Sequence, residues 1–125
     1  MFLIDTNIFL EILLAQDKNE LCKSFLTDNI RDLNMTDFSL HSIGVILFKY
    51  HKQDVYRKFI ADVIPNVKLI SLPVMLYDKI IDMSQSFNLD FDDAYQCVAA
   101  KYYKLKIITM DKDFKKAKDI DLLFL

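Results

Sequence analysis

Glycine is almost missing from this 125-residue chain: Gly44 is the only one, and Pro65 and Pro73 are the only prolines. Both shortages argue against turn-rich all-β architectures and against glycine-rich phosphate-binding loops. Cysteine is equally sparse. Cys22 and Cys97 come with no Cys-x-x-Cys spacing and no histidine pair, so neither a disulfide framework nor a zinc site is expected. Buried free thiols in a reducing cytoplasm are the natural reading. An excess of positive charge is also absent, the formal net charge being −2. Contact with nucleic acid would have to rest on a local patch or on metal. Seven lysines between Lys101 and Lys118, and the stretch Lys49, Lys52, Arg57 and Lys58, read first as solvated faces, with an RNA track as the alternative. No apolar run is long enough to span a membrane. The apolar N-terminus is interrupted by Asp5, Asn7 and Glu11 and lacks a basic leader, so it does not read as a signal peptide.

What remains is an ordinary globular composition, 53% apolar and 27% charged, in a length suited to one domain over residues 1–125. Phe2-Leu3-Ile4 reads as a central strand ended by Asp5-Thr6-Asn7, with a helix from Ile8 to Leu14 capped by Thr6 or Asn7. A second helical stripe carries Leu21, Cys22, Phe25 and Leu26. Leu33–Met35 is a short strand leading to Thr36-Asp37, and a helix from Phe38 to Tyr50 follows. Val55, Phe59, Ile60 and Val63 form another helix, stopped before Pro65. Val67–Leu72 reads as a strand, and Pro73 suits the first turn of a helix carrying Leu76, Ile80, Met83 and Phe87. Asp90–Tyr103 is helical, Lys106–Thr109 a strand, Asp113–Lys118 a short helix and Leu122–Leu125 a last strand. Strands alternating with helices predict an α/β fold on a mostly parallel sheet.

Four acids stand at the ends of these elements: Asp5, Asp37, Asp93 and Asp111. Side chains at the carboxyl ends of parallel strands converge on one crevice. Carboxylates gathered there repel one another, and a hard divalent cation with oxygen ligands is the usual compensation. Each acid also has a plainer role. Asp5 and Asp37 suit helix caps, Asp93 sits with Asp90 and Asp92 in a helix's first turn, and Asp111 suits a turn. All of them together at strand ends and helix starts favour a shared site.

The run into Asp5-Thr6-Asn7, the pair Asp93-Ala94 followed by Ala99-Ala100, and Thr109-Met110-Asp111-Lys112-Asp113-Phe114 resemble a PIN domain over essentially the whole chain. The size resembles the VapC-like toxins of VapBC toxin–antitoxin pairs. The resemblance implies a three-layer α/β/α sandwich with a carboxylate cluster at one end of its sheet. It implies a magnesium- or manganese-dependent endoribonuclease, an RNA substrate, an antitoxin partner and a homodimer. Asp5, Asp93 and Asp111 match the family's acids, Asp113 lies close by as a further metal ligand, and Thr6 and Asn7 match residues that support Asp5. The family's second acid, a glutamate in the helix after the second strand, has no counterpart; its position falls at or near Ser42. Asp37 is the expected replacement, with His41 one helical turn later as a supporting residue.

Two other classes fit parts of the pattern. A PIN-like module that binds RNA or protein without cutting agrees with Ser42 at the glutamate position. A haloacid-dehalogenase-type phosphohydrolase also opens on a strand ending in Asp but wants a second Asp where Asn7 stands. A receiver-like domain lacks its phosphoacceptor, because Val67–Leu72 runs into Ser71-Leu72-Pro73.

Overall fold

The first strand is only three residues long, yet it organises the molecule. The computed structural model describes residues 1–125, and its five strands form one sheet in the order β3-β2-β1-β4-β5. These are β1 (Phe2–Ile4), β2 (Leu33–Thr36), β3 (Lys68–Ile70), β4 (Lys106–Thr109) and β5 (Leu122–Phe124). Every pairing is parallel, so the mostly parallel sheet expected from the sequence is parallel throughout. Phe2 aligns with Leu33 on one side and Lys106 on the other. The chain winds from β1 through β2 to β3, then crosses to β4 and β5 on the far side. That reversal at β1 opens a crevice at the carboxyl ends of β1 and β4.

Six helices complete the fold: α1 (Thr6–Leu13), α2 (Asn19–Asp28), α3 (Asp37–Lys49), α4 (Gln53–Asp62), α5 (Tyr77–Phe87) and α6 (Phe91–Tyr103). Strand alternation sorts them into two layers. Leu3 and Ile107 face one core with Ile80 and Met83 of α5 and Ala94, Cys97 and Val98 of α6. Ile4, Ile108 and Met35 face the other, with Ile8 and Phe9 of α1, Cys22 of α2, Leu47 of α3 and Phe59 of α4. The result is the three-layer α/β/α sandwich. Cys22 and Cys97 are both free and buried. No helix is long and apolar enough to cross a membrane.

Several boundaries differ from the sequence reading, each for a local reason. Asp5, extended at φ −65° and ψ 146°, occupies the N-cap position of α1, so Thr6 and Asn7 are already helical. Thr36, and not Asp37, caps α3: its hydroxyl accepts from the Ser39 N–H at 3.0 Å, and Asp37 is the first helical residue. Pro73 precedes a 3₁₀ turn, Val74–Leu76, and α5 starts only at Tyr77. The short helix after β4 is 3₁₀ and spans Lys112–Lys116. With one glycine in the chain, left-handed backbone falls to other residues; Asn88 closes α5 at φ 53° and Lys104 closes α6 at φ 58°.

Candidate metal centre

Asp5 follows β1 directly and is 5% exposed. A carboxylate so enclosed needs hydrogen-bond donors. Thr109, the last residue of the neighbouring β4, donates its hydroxyl to Asp5 Oδ2 at 2.7 Å. The Thr6 backbone N–H and the Gln96 amide also favour the charged form. Burial outweighs them and, with the nearby Asp111 charge, holds the Asp5 carboxyl at about 6.

Asp111 reaches the crevice through the turn after β4. Its N–H donates to Thr109 Oγ1 at 2.9 Å, and its Oδ1 accepts from the Asp113 N–H at 2.9 Å. Thr109 therefore links the two acids: one hydroxyl is anchored by Asp111 and anchors Asp5. Asp93 arrives from the first turn of α6. Burial raises its carboxyl to about 7, and the charges of Asp111, Asp5, Asp90 and Asp92 add to the effect. Carboxylate oxygens of Asp93, Asp111 and Asp113 lie within 4.8 Å of one another.

These residues fit a divalent cation. The donors are all carboxylate oxygen, the set that hard cations prefer. Two of the acids are held above their ordinary range by burial and mutual repulsion, an unfavourable state that a bound cation relieves. Asp93, Asp111 and Asp113 would ligate it, with Asp5 alongside. Thiolate chemistry is not available here: burial, followed by the charge of Asp93, pushes the Cys97 thiol up to about 12.

The other sequence-predicted residues occupy different places. Asp37 is outside the carboxylate trio; its Oδ1 accepts from the Tyr95 hydroxyl at 2.9 Å and from the Phe38 N–H at 2.8 Å. The Tyr95 oxygen in turn accepts from the Leu72 N–H, so Asp37 is tied to the loop after β3. Thr6 touches Ser39 through its hydroxyl (2.7 Å) and Asp5 through its backbone N–H. His41 is exposed on α3, and Ser42 is half-buried beside it. Asn7 is exposed and, with Leu10, Glu11, Leu14, Gln16 and Met110, lines a recess of about 380 Å³ that includes Asp111. A larger recess, about 480 Å³ and lined by residues of α5 and α6 such as Lys79, Met83 and Tyr102, contains none of the clustered acids.

Sequence reasoning passed over Thr109, Gln96, Ser39 and Thr36, all of them buried and polar. Gln96 carried a readable signal. It is the polar residue in Ala94–Ala100, a stretch of α6 that is buried throughout, one turn after Asp93.

The class defined here is a parallel α/β sandwich whose topological switch beside the central strand gathers acidic side chains. Residues 2–120 match the PIN domain, and the chain belongs to that family. No curated protein matches it in sequence. Solved structures share its fold. A toxin–antitoxin complex from Klebsiella pneumoniae is 22% identical with a TM-score of 0.78, the match covering 98% of this chain and 96% of that one. VapC20 of Mycobacterium tuberculosis, described as a sarcin-ricin loop cleaving toxin, is 14% identical with a TM-score of 0.80 over 96% of each chain. VapBC2 of Rickettsia felis, bound to a promoter DNA fragment, is 11% identical with a TM-score of 0.83, covering 98% of this chain and 97% of that one.

Proposed function

We propose that this protein is a magnesium- or manganese-dependent endoribonuclease of the toxin type. The observation that carries the reading is the convergence of Asp93, Asp111 and Asp113, from two different elements, beside the buried Asp5. Family membership and the fold it shares with toxin components support it. A bound Mg²⁺ or Mn²⁺ supplies positive charge for the scissile phosphate and acidifies a water nucleophile. The chain's own residues set the stage. Thr109 fixes the direction of the Asp5 carboxylate, and the Asp113 N–H fixes that of Asp111. Asp93, held at about 7 by burial and by the neighbouring acids, would be a ligand only in its ionised form, which a nearby cation would favour. An antitoxin protein and a second copy of this chain are the proposed partners, by analogy with the toxin–antitoxin assemblies that share its fold.

Purified protein is expected to degrade single-stranded RNA with Mn²⁺ or Mg²⁺ and to stop when EDTA is added. Asp5→Asn and Asp93→Asn should each lower the rate by about 100-fold or more, because electrostatic and metal-ligand contributions to such a site are of that order. Asp37→Asn should stay within about tenfold of the parent, since Asp37 stands apart from the trio and Asn still accepts from Tyr95. A second reading, a PIN module that binds without cutting, draws on α3 contributing no carboxylate to the trio. RNA degradation that survives both chelation and Asp5→Asn would sink the nuclease proposal, and a clean preparation with no activity would leave the binding module.

A further inference from the structure

One buried polar side chain is not accounted for by packing. Gln96 is 2% exposed, and its Oε1 is the only buried side-chain polar atom in the molecule with no hydrogen-bond partner. For stability alone, an apolar residue would serve this position of α6 better. Its amide nitrogen explains the choice. Nε2 donates to Ser39 Oγ at 2.8 Å and also faces the Asp5 carboxylate, where it favours the charged form. An amide that faces a carboxylate presents its N–H₂ and not its oxygen, which fixes the orientation of the group.

Ser39 is fully buried at the first turn of α3 and has three side-chain neighbours: Gln96 Nε2, Thr36 Oγ1 at 3.2 Å and Thr6 Oγ1 at 2.7 Å. A hydroxyl offers two lone pairs and one hydrogen. Gln96 and Thr36 donate into both lone pairs, so the Ser39 hydrogen goes to Thr6. Thr6 is thereby an acceptor within the network, and its own hydroxyl hydrogen is released from it. Thr6 is half-buried and adjacent to Asp5.

We propose that Gln96 is a positioning residue for the nuclease site. By filling Ser39 and facing Asp5, it orders the crevice so that Asp5 presents acceptor oxygens to the cation and Thr6 presents a free O–H to the substrate phosphate or its attacking water. The inference deepens the metal-dependent reading and rests on it.

The test is Gln96→Met, which keeps the length of the side chain and removes both the amide donor and the orphaned oxygen. Mn²⁺ binding is followed by calorimetry and by the electron paramagnetic resonance signal of free Mn²⁺, and thermal unfolding is measured in EDTA. The expected result is a melting temperature equal to or above the parent's together with Mn²⁺ affinity about 10- to 100-fold weaker, the usual effect of losing a partner that orients a metal ligand. A purely structural glutamine would show the reverse, a lower melting temperature with unchanged affinity, and that result overturns the proposal. If Gln96→Met does not fold, Ser39→Ala carries the same test, and Mn²⁺ affinity equal to the parent's overturns it. The parent protein provides the separate control. Failure of the parent to bind Mn²⁺, or binding that Asp93→Asn leaves intact, defeats the metal reading and this inference with it. A parent that binds while both variants match it defeats the inference alone.

Discussion

At Asp5 and Asp93 the fold works against ionisation, and the sign of that effect predicts an unusual pH dependence. Both carboxyls rise from 3.8, to about 6 for Asp5 and about 7 for Asp93, with burial as the largest cause. Well below pH 4 the folded and unfolded chains hold these protons equally. Between about pH 4 and 7 the folded chain holds more, so the stability of the cation-free protein falls as pH rises through that window and levels off above it. Ionising Asp5 in the cation-free fold costs roughly 3 kcal/mol, and Asp93 a cost of similar order once discounted for its partial solvent access. In EDTA, the melting temperature of the parent relative to Asp93→Asn should therefore be higher at pH 5 than at pH 8. Added Mn²⁺ should reverse the trend in the parent, because binding requires the ionised carboxylates. Parallel curves for the two proteins would show that Asp93 ionises normally. The same residues explain how far the site was legible. Asp5, Asp93, Asp111 and Asp113 could be marked because each carries charge at an element boundary. Thr109 and Ser39 could not, because a neutral hydroxyl looks alike on a surface and in a core until the partners that enclose it are known; Gln96 was marked only by standing among the small and apolar residues of α6.

The elements themselves were largely readable, and the misses lie at their first turns. Strands β1 and β4 are built on short apolar runs ended by a polar residue, a pattern that needs no tertiary information, whereas β2 breaks its run with the buried Asn34. The cap of α3 is different. Thr36 and Asp37 are both good caps by type, and the choice fell to Thr36 because it is fully buried at the end of β2, where its hydroxyl also reaches Ser39. Sequence could not decide between two neighbouring cap formers. The packing of α3 against α4 depends on a second local detail. A Cβ at Gly44 would stand 2.9–3.1 Å from the Tyr56 ring, whose hydroxyl donates to the Leu40 carbonyl at 2.8 Å. Gly44 lies mid-helix, where alanine is normally the better residue by about 1 kcal/mol. Here the clash should win: Gly44→Ala is expected to cost about 1–3 kcal/mol by overpacking, seen as a lower denaturation midpoint. Pairing it with Tyr56→Leu should recover part of the loss. A stabilised Gly44→Ala would mean that the two helices part freely, and that close contact with Tyr56 is not what excludes a side chain there.

For the whole molecule, the apolar residues left outside matter most. Val45 and Phe48 of α3, Tyr50 just beyond it and Ile60 of α4 are 46–58% exposed. They lie on or next to α3 and α4, on a face that a second copy of the chain could cover. Val74 and Met75, in the 3₁₀ turn before α5, are more exposed still, at 83% and 84%. Aromatic and aliphatic side chains of this kind form the centres of protein interfaces, where a stable pair buries about 1,200–2,000 Å² in total. A net charge of only −2 offers little electrostatic resistance to pairing. The protein should therefore sediment as a dimer at micromolar concentration. Val45→Glu combined with Phe48→Glu should shift it to monomer with helix content largely unchanged, because both side chains are more than half exposed and the packing lost is chiefly the edge contact of Phe48 with Tyr56. Met75→Glu serves as the comparison. If that change alone dissociates the dimer, the interface is the turn before α5 and not the α3–α4 face. If the parent is monomeric at every concentration reached, self-association of either patch is ruled out, and a proposed antitoxin becomes the occupant to test next by co-purification.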